Sequence, residues 1–415
     1  MMRENTSGAH LLILDSPRNI SIYENGSRIK LCCLSLAEEP QTDSQRKSPP
    51  SGLPLSSNTL NFIRSQFMNC ISNPGHDCLH RPSRTDARWP ARVIKIGAEA
   101  ISLVEFDPDT MGGEFAALSY LWGSAADLEH NPPYLALAST LDDLRAGIPV
   151  TRLPRTIRLA VSLCVFLEIG YLWVDSLCII QDSTPDWEME ASKMGTVYSA
   201  SKLTIIAAAA KSCHDGISES TPPDSISLFS STEPGFQVIA RKPAQSGYHQ
   251  RRYMITVTDP LATRGWAYQE EFLSSRYVKI ATDDVQWKCQ VGASCICGES
   301  PAERTEPTAE TVTMQETWED IVEDFSRRGL TVETDRLVAF SGIARRFAPI
   351  FDDATGFCNP GCFVAPTFSW EINCSLTKSQ SGACRPLWRQ FRLIIAKREH
   401  LSGDRVGTMF LRIED

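Results

Sequence analysis

The run Tyr171-Leu-Trp-Val-Asp-Ser-Leu-Cys-Ile-Ile-Gln-Asp182 constrains the fold more than any other stretch of this chain. It is almost continuously apolar, with one acid, Asp175, inside it. Such a run suits a parallel strand covered on both faces, so 171–179 is expected to be a buried strand. Burying a carboxylate is costly unless it is paired or put to use. A helix is expected next, from about Pro185 to Ala200, with Thr184 as N-cap and Pro185 at the first helical position. On that helix Trp187, Ala191, Met194 and Tyr198 share a face, Glu190 lies on the same side, and Glu188 falls off it. An acid turned inward just past the C-terminal end of a strand stands where open α/β sheets place ligands. Its structural alternative is an ion pair with a nearby arginine. Asp175 has the same two readings: a cleft acid, or a strand-end acid that accepts backbone hydrogen bonds and fixes a loop.

Strand and helix patterns alternate around this run. Arg92–Ile96 and Ile101–Phe106 read as a strand pair around Gly97, and Phe115–Gly123 as an apolar strand ending at a glycine. Leu153-Pro154 opens a helix that ends near Gly170, and Leu203–Ala208 returns as a strand. This alternation predicts an α/β fold with a mostly parallel central sheet and helices on both faces, with strands near 115–121, 171–179 and 203–208. Four regions are expected: a variable, partly disordered 1–58, a lead-in segment 59–112, the α/β domain 113–290, and an irregular extension 291–415. Residues 213–248, rich in Ser and Pro, read as a surface loop.

Composition narrows the function. The 415 residues are 42% hydrophobic and 22% charged, enough to bury a core, and the net charge of −9 argues against nucleic acid or an anionic membrane as partner. The longest apolar stretch, Leu159 to Ile180, is broken by Glu168 and Asp175, so no membrane span is expected. No secretory leader is evident, and fourteen cysteines without one fit reduced thiols in a cytoplasmic protein.

Arg264-Gly-Trp-Ala-Tyr-Gln-Glu270 packs a cation, two aromatics, an amide and an acid into seven residues. Arg264 reads either as a bidentate binder of phosphate or carboxylate, or as a buried tie to Asp175, Glu190 or Glu270. At least one of Asp175 and Glu190 is expected within salt-bridge reach of it. Cys70, His76, Cys78 and His80 have the types of zinc ligands without a standard spacing, and Cys289, Cys295 and Cys297 form a second such cluster. A cysteine nucleophile would need an orienting histidine, for which no local signature exists. Gly112-Gly113 is isolated and no phosphate-binding loop is present.

Four blocks in order carry a family resemblance: Phe115-Ala-Ala-Leu-Ser-Tyr120-Leu-Trp122-Gly123; Leu153-Pro-Arg-Thr-Ile157; Tyr171–Asp182 with Trp187, Glu190, Met194 and Tyr198; and Arg264-Gly265-Trp266-x-x-Gln269-Glu270 with Leu273, Ser274 and Arg276. Together they resemble the fungal heterokaryon-incompatibility (HET) domain over roughly 113–290. After about Phe357 the chain departs from the pattern: Gly361–Trp370 arrives almost at once, so the extension is expected to be incomplete. The resemblance implies non-self recognition between fungal cells, ending in regulated cell death, with self-association or another incompatibility protein as partner. HET domains are in turn distantly similar to TIR domains, which implies a flavodoxin-like core. Some TIR domains cleave NAD with a glutamate on the helix after a central strand, the place Glu190 holds. That further resemblance makes Glu190 and Asp175 the catalytic candidates and NAD a possible substrate. Tyr120, Trp122 and Trp266 would stack on nicotinamide or adenine, Arg264 would meet a phosphate, and Gln269 and Glu270 would complete the ligand site. No cofactor is required.

Overall fold

A computed structural model describes residues 11–16, 19–24, 27–31, 33–36, 54–73, 75, 89–112, 114–217, 225–229, 237–241, 259–282, 284–296, 314–355, 367–374, 389–396 and 407–412. The chain divides into two units, one comprising Met1–Thr311 with Phe325–Gly342 and the other Val312–Asp324 with Ile343–Asp415. In the second, Thr367–Cys374, Arg389–Ala396 and Gly407–Arg412 form an antiparallel meander.

The first unit is organised by a nine-stranded sheet. Its strands in chain order are β1 (Arg92–Ile96), β2 (Ala100–Glu105), β3 (Ala116–Ser119), β4 (Ile148–Pro149), β5 (Tyr171–Trp173), β6 (Leu203–Ile206), β7 (Arg276–Ile280), β8 (Val285–Cys289) and β9 (Ala293–Cys295). Across the sheet they run β9-β8-β7-β6-β3-β5-β1-β2-β4. The sheet is α/β in character but mixed, and most of its pairings are antiparallel, which corrects the mostly parallel expectation. Parallel pairing is confined to β7, β6, β3 and β5. The hairpin β1–β2 flanks this block on one side and the meander β7–β8–β9 extends it on the other. The reason is connection length. Gly97 turns the chain back within three residues between β1 and β2, which only an antiparallel pair allows, whereas β3, β5, β6 and β7 are separated by helices long enough to cross over.

The helices between them include α2 (Arg155–Phe166), α3 (Asp175–Cys178), α4 (Thr184–Ala200) and α5 (Gly265–Leu273), and α1 (Ser57–Ser72) precedes the sheet. α2 packs on β3 and β5, and α5 packs on β3 and on α4. The core is sealed by Phe115, Trp173 and Tyr198, the last two meeting edge to face at 5.8 Å.

The strand expected at 171–179 is three residues long and gives way to a single helical turn, α3. Asp175 causes the change. Its Oδ1 accepts the N–H of Ser176 at 2.7 Å, and the Val174 carbonyl then accepts from Leu177 and Cys178. A short acid that satisfies the next backbone N–H competes with the strand ladder and starts a turn. The turn stays inside, with Leu177 and Cys178 buried. At the next helix the N-cap is Ser183 rather than Thr184; its Oγ accepts from Asp186 N, and Pro185 falls one position further in. The short helix expected after residue 59 is α1, capped by Ser56. The loop expected over 213–248 contains two paired strands, Ser225–Phe229 and Gln237–Arg241, and the 1–58 region holds four strands between Leu11 and Leu36.

Helix α5 lies against the residues of the long helix Arg336–Thr355 that precede Ile343. Gln269 Oε1 accepts from Gly342 N at 2.8 Å, and a Cβ built at Gly342 would stand 2.6 Å from that oxygen and 2.7 Å from Leu273 Cδ1. Gly342→Ala should therefore destabilise the protein by about 1–3 kcal/mol, the usual cost of overpacking. Urea denaturation of the two proteins measures it; equal midpoints would show that the contact relaxes freely.

Candidate functional site

The four parallel strands place a site by their connection order. From β3 the chain crosses to β5 on one side, then returns past β3 to β6 on the other. The sheet thus has a topological switch point at β3 and β6, and in open α/β sheets ligands bind outside the carboxyl ends of the strands at such a point. Tyr120 and Trp122 follow β3, Asp175 follows β5, and Ala208 follows β6, its carbonyl accepting from Leu261 N in the turn that leads to Arg264.

Four sequence candidates meet here. Trp122 Nε1 donates to Asp175 Oδ2 at 2.9 Å, and Tyr120 OH donates to Ser176 Oγ at 2.8 Å. Arg264 Nη1 donates to the Tyr120 carbonyl at 3.3 Å. Asp175, Trp122 and Arg264 are half-buried, while Tyr120 is buried. The expected ion pair of Arg264 does not form: among the described residues no carboxylate stands in salt-bridge contact with it. Its charge nevertheless reaches Asp175 and Glu270 and opposes the rise that burial gives both carboxyls. A longer-range coupling replaces the contact pair because the guanidinium is held by a backbone carbonyl rather than by an acid.

Burial governs the protonation of this cluster. It raises the Asp175 carboxyl above its ordinary value, against the opposing effects of Arg264, Trp122, Ser176 and Tyr120. Glu270, 6% exposed on α5, is pushed up to about 7, first by burial and further by the negative charge of Asp175. Arg264, the hydroxyl of Ser119 and that of Tyr198 oppose the rise. Ser119 Oγ is sealed without a hydrogen bond of ordinary geometry, although it stands close enough to Glu270 to favour its charged form. Burial also raises Tyr120 and Tyr198.

Glu190 belongs to a different network. It is 0% exposed, with Oε1 on Lys193 Nζ at 2.7 Å and Oε2 accepting Ala91 N at 3.2 Å. Beside it Arg92 Nη2 pairs with Asp186 at 2.5 Å, and Arg92 Nε donates to the Cys178 carbonyl. Asp186 Oδ2 also accepts Ile180 N at 2.8 Å. No sequence pattern singles out Arg92; its partners lie 86 and 94 residues away, and the pairing of β1 with β5 brings them together. Trp266 and Gln269 turn to the Phe325–Gly342 segment instead of Asp175: Trp266 stands close enough to Asp335 to favour its charged form, and Gln269 Oε1 accepts from Gly342 N.

Most of the metal candidates fall where the structure gives no placement. Cys70 is buried in α1, and His76, Cys78 and His80 lie outside the described residues, as does Cys297. Among the described residues no group of three or more His, Cys, Asp and Glu side chains is placed to hold a metal ion. Cys289 is a buried free thiol, whereas Cys295 is disulfide-bonded, a departure from the all-reduced expectation. Burial pushes the thiols of Cys178 and Cys213, both close enough to feel Asp175, to about 12 and about 11, so neither supplies a thiolate nucleophile.

Residues 115–270 match the family model described as Heterokaryon incompatibility protein (HET). The matched segment begins at the residue before β3 and ends on Glu270. It therefore contains the switch point and all of Tyr120, Trp122, Asp175, Glu190, Arg264 and Glu270, whereas β1, β2 and β7 lie outside it. Comparison with curated proteins and with solved structures returns no match.

Glu270 makes stability depend on pH. Its folded pKa of about 7 exceeds the ordinary glutamate value, so the folded state holds its proton more tightly than the unfolded chain. Stability from this group is full below about pH 4 and is lost as pH rises toward 7; above that the buried carboxylate costs roughly 3 kcal/mol. Glu270→Gln should flatten this slope and be more stable than the parent at pH 8, with little difference at pH 5. Urea midpoints at the two pH values check it, and parallel curves for both proteins would place the titration elsewhere.

Proposed function

We propose that this chain is a heterokaryon-incompatibility signalling protein, whose HET segment, once brought together with a second copy or a partner, triggers regulated cell death in a fungal cell. The coincidence of the family match with the switch-point half of the sheet carries the reading. Charge and hydropathy agree with it: the net charge is −9, and among the described residues no helix is long and apolar enough to cross a membrane. The test is induced expression in a fungal host with the chain fused to an inducible dimeriser. Growth should stop on dimerisation, and deletion of 115–270 should restore it. Unimpaired growth of the dimerised full chain would refute the reading.

A second reading, hydrolysis of NAD-type nucleotides, is favoured by one observation: a half-buried carboxylate, Asp175, lies among Tyr120, Trp122 and Arg264 at the strand ends. Water would add to the ribose carbon as nicotinamide leaves, through an oxocarbenium-like state that a nearby carboxylate stabilises. Asp175 suits that role better than Glu190, which offers the solvent no surface and has both oxygens engaged. Purified protein incubated with NAD should release nicotinamide, and Asp175→Asn should slow release by on the order of 10²-fold or more. Absence of release from the concentrated or dimerised protein would end the enzyme reading and leave the signalling reading intact.

A further inference from the structure

Arg264 occupies the N-cap position of α5, and no side chain caps that helix. The first N–H groups of a helix have no partner inside it. Here the first of them, that of Gly265, donates to the Gly329 carbonyl at 2.7 Å. The Gly329 N–H in turn donates to the Thr263 carbonyl at 2.8 Å, so Arg264 and Gly329 form an isolated parallel bridge. One residue thus grips the main chain on both sides of Arg264. Arg264 is held extended, at φ −92° and ψ 131°, and its Nη1 reaches the Tyr120 carbonyl just past β3.

Gly329 belongs to a strap, Phe325–Gly342, that lies outside the matched segment 115–270 yet inside the first unit. The strap is fastened along α5 at further points. Arg328 lies over the Tyr268 ring at 4.3 Å, the buried Phe325 ring stands 6.1 Å from that ring, and Gly342 N donates to Gln269 Oε1. A Cβ at Gly265 would stand 2.9 Å from Leu330 Cδ2, so the glycine beside Arg264 leaves room for the strap. A Cβ at Gly329 would meet only the Thr263 carbonyl oxygen, at the ordinary distance of 3.8 Å. Gly329 therefore acts through its main chain alone.

We propose that Gly329 positions Arg264, and that the strap completes the functional site from outside the matched segment. Without the bridge, residues 263–265 lose two hydrogen bonds and the first turn of α5 loses its cap. The guanidinium, carried on a long side chain, then has no fixed origin from which to reach Tyr120. The inference deepens the signalling reading above by making the seated strap a condition of it, and the clamp itself is tested without that reading.

The experiment compares Gly329→Pro, which lacks the N–H given to Thr263, with Gly329→Ala, which keeps both main-chain groups. Hydrogen exchange read by mass spectrometry should quicken about tenfold or more over 263–270 in Gly329→Pro and keep the parent rate over 115–120 and 203–207. Gly329→Ala should match the parent throughout. Arg264 opposes the burial-raised pKa of Glu270, so a displaced guanidinium should move the pH midpoint of stability upward from about 7. Gly329→Pro should move it in the same direction as Arg264→Gln, and should add nothing to Arg264→Gln in the double variant. In the dimeriser assay, Gly329→Pro expressed at the parent's level should no longer arrest growth. Should Gly329→Pro unfold, Gly265→Ala takes its place: exchange over 263–270 should quicken, and Leu330→Ala in the same chain should restore it. Parent exchange rates over 263–270 in Gly329→Pro, an unmoved midpoint, or absence of rescue by Leu330→Ala overturns the positioning role. Growth arrest equal to the parent's overturns the strap as part of the site. A parent chain that never arrests growth, with exchange and midpoint shifted as stated, leaves the clamp standing while the signalling reading falls.

Discussion

The Asp175 carboxylate is the constraint on which the first unit depends. One oxygen takes the N–H of Ser176 and ends β5 after three residues; the other takes the indole of Trp122 and fixes the loop after β3. The turn that results points the α3 carbonyls outward: Ser176 O accepts from Ala136 N, and Asp175 O accepts from the Gln181 amide. A single acid in an apolar run thereby sets the register of three loops at the carboxyl end of the sheet. Had the run continued as a strand, its charge would have been buried without these donors at a cost of several kcal/mol.

Two charge clusters at that end have different characters. Around Arg92, Asp186, Glu190 and Lys193 nearly every donor meets an acceptor, and the network fastens α4 to the first strand of the hairpin. Around Asp175, Arg264 and Glu270 no contact ion pair closes, and burial displaces the protonation of the two acids. Closed networks hold folds together, whereas displaced pKa values and unclosed pairs mark places where chemistry or binding occurs. That contrast separates Glu190 from Asp175 although both are acids beside the same strand end.

Much of this was legible in the sequence. Local periodicity and glycine punctuation located β1, β2, β3, β6, α2 and α4, since these depend on neighbours in the chain. The inward face of α4, with Glu190 on it, followed from helical spacing alone. What depended on distant partners was not legible. Asp175 reads the same as a strand residue or as a turn residue until Trp122, 53 positions earlier, is seen to donate to it. Arg92 is an ordinary strand-start cation until Asp186 closes on it. The sheet's direction was misjudged because alternating strands and helices describe only its middle; the flanking hairpin and meander contribute the antiparallel majority.

The mixed sheet bears on how the segment matched by the family model can exist by itself. Within 115–270 the parallel block has only β3, β5 and β6, and their outer partners come from elsewhere: β1 from before the segment and β7 from after it. A fragment cut at the family boundaries would carry two open strand edges, at β5 and at β6, with Leu172, Trp173, Ile205 and Ile206 beside them. Unprotected apolar edges pair with whatever strand they meet. The smallest autonomous piece of this fold is therefore larger than the matched segment, and the strands that cover its open edges lie outside it.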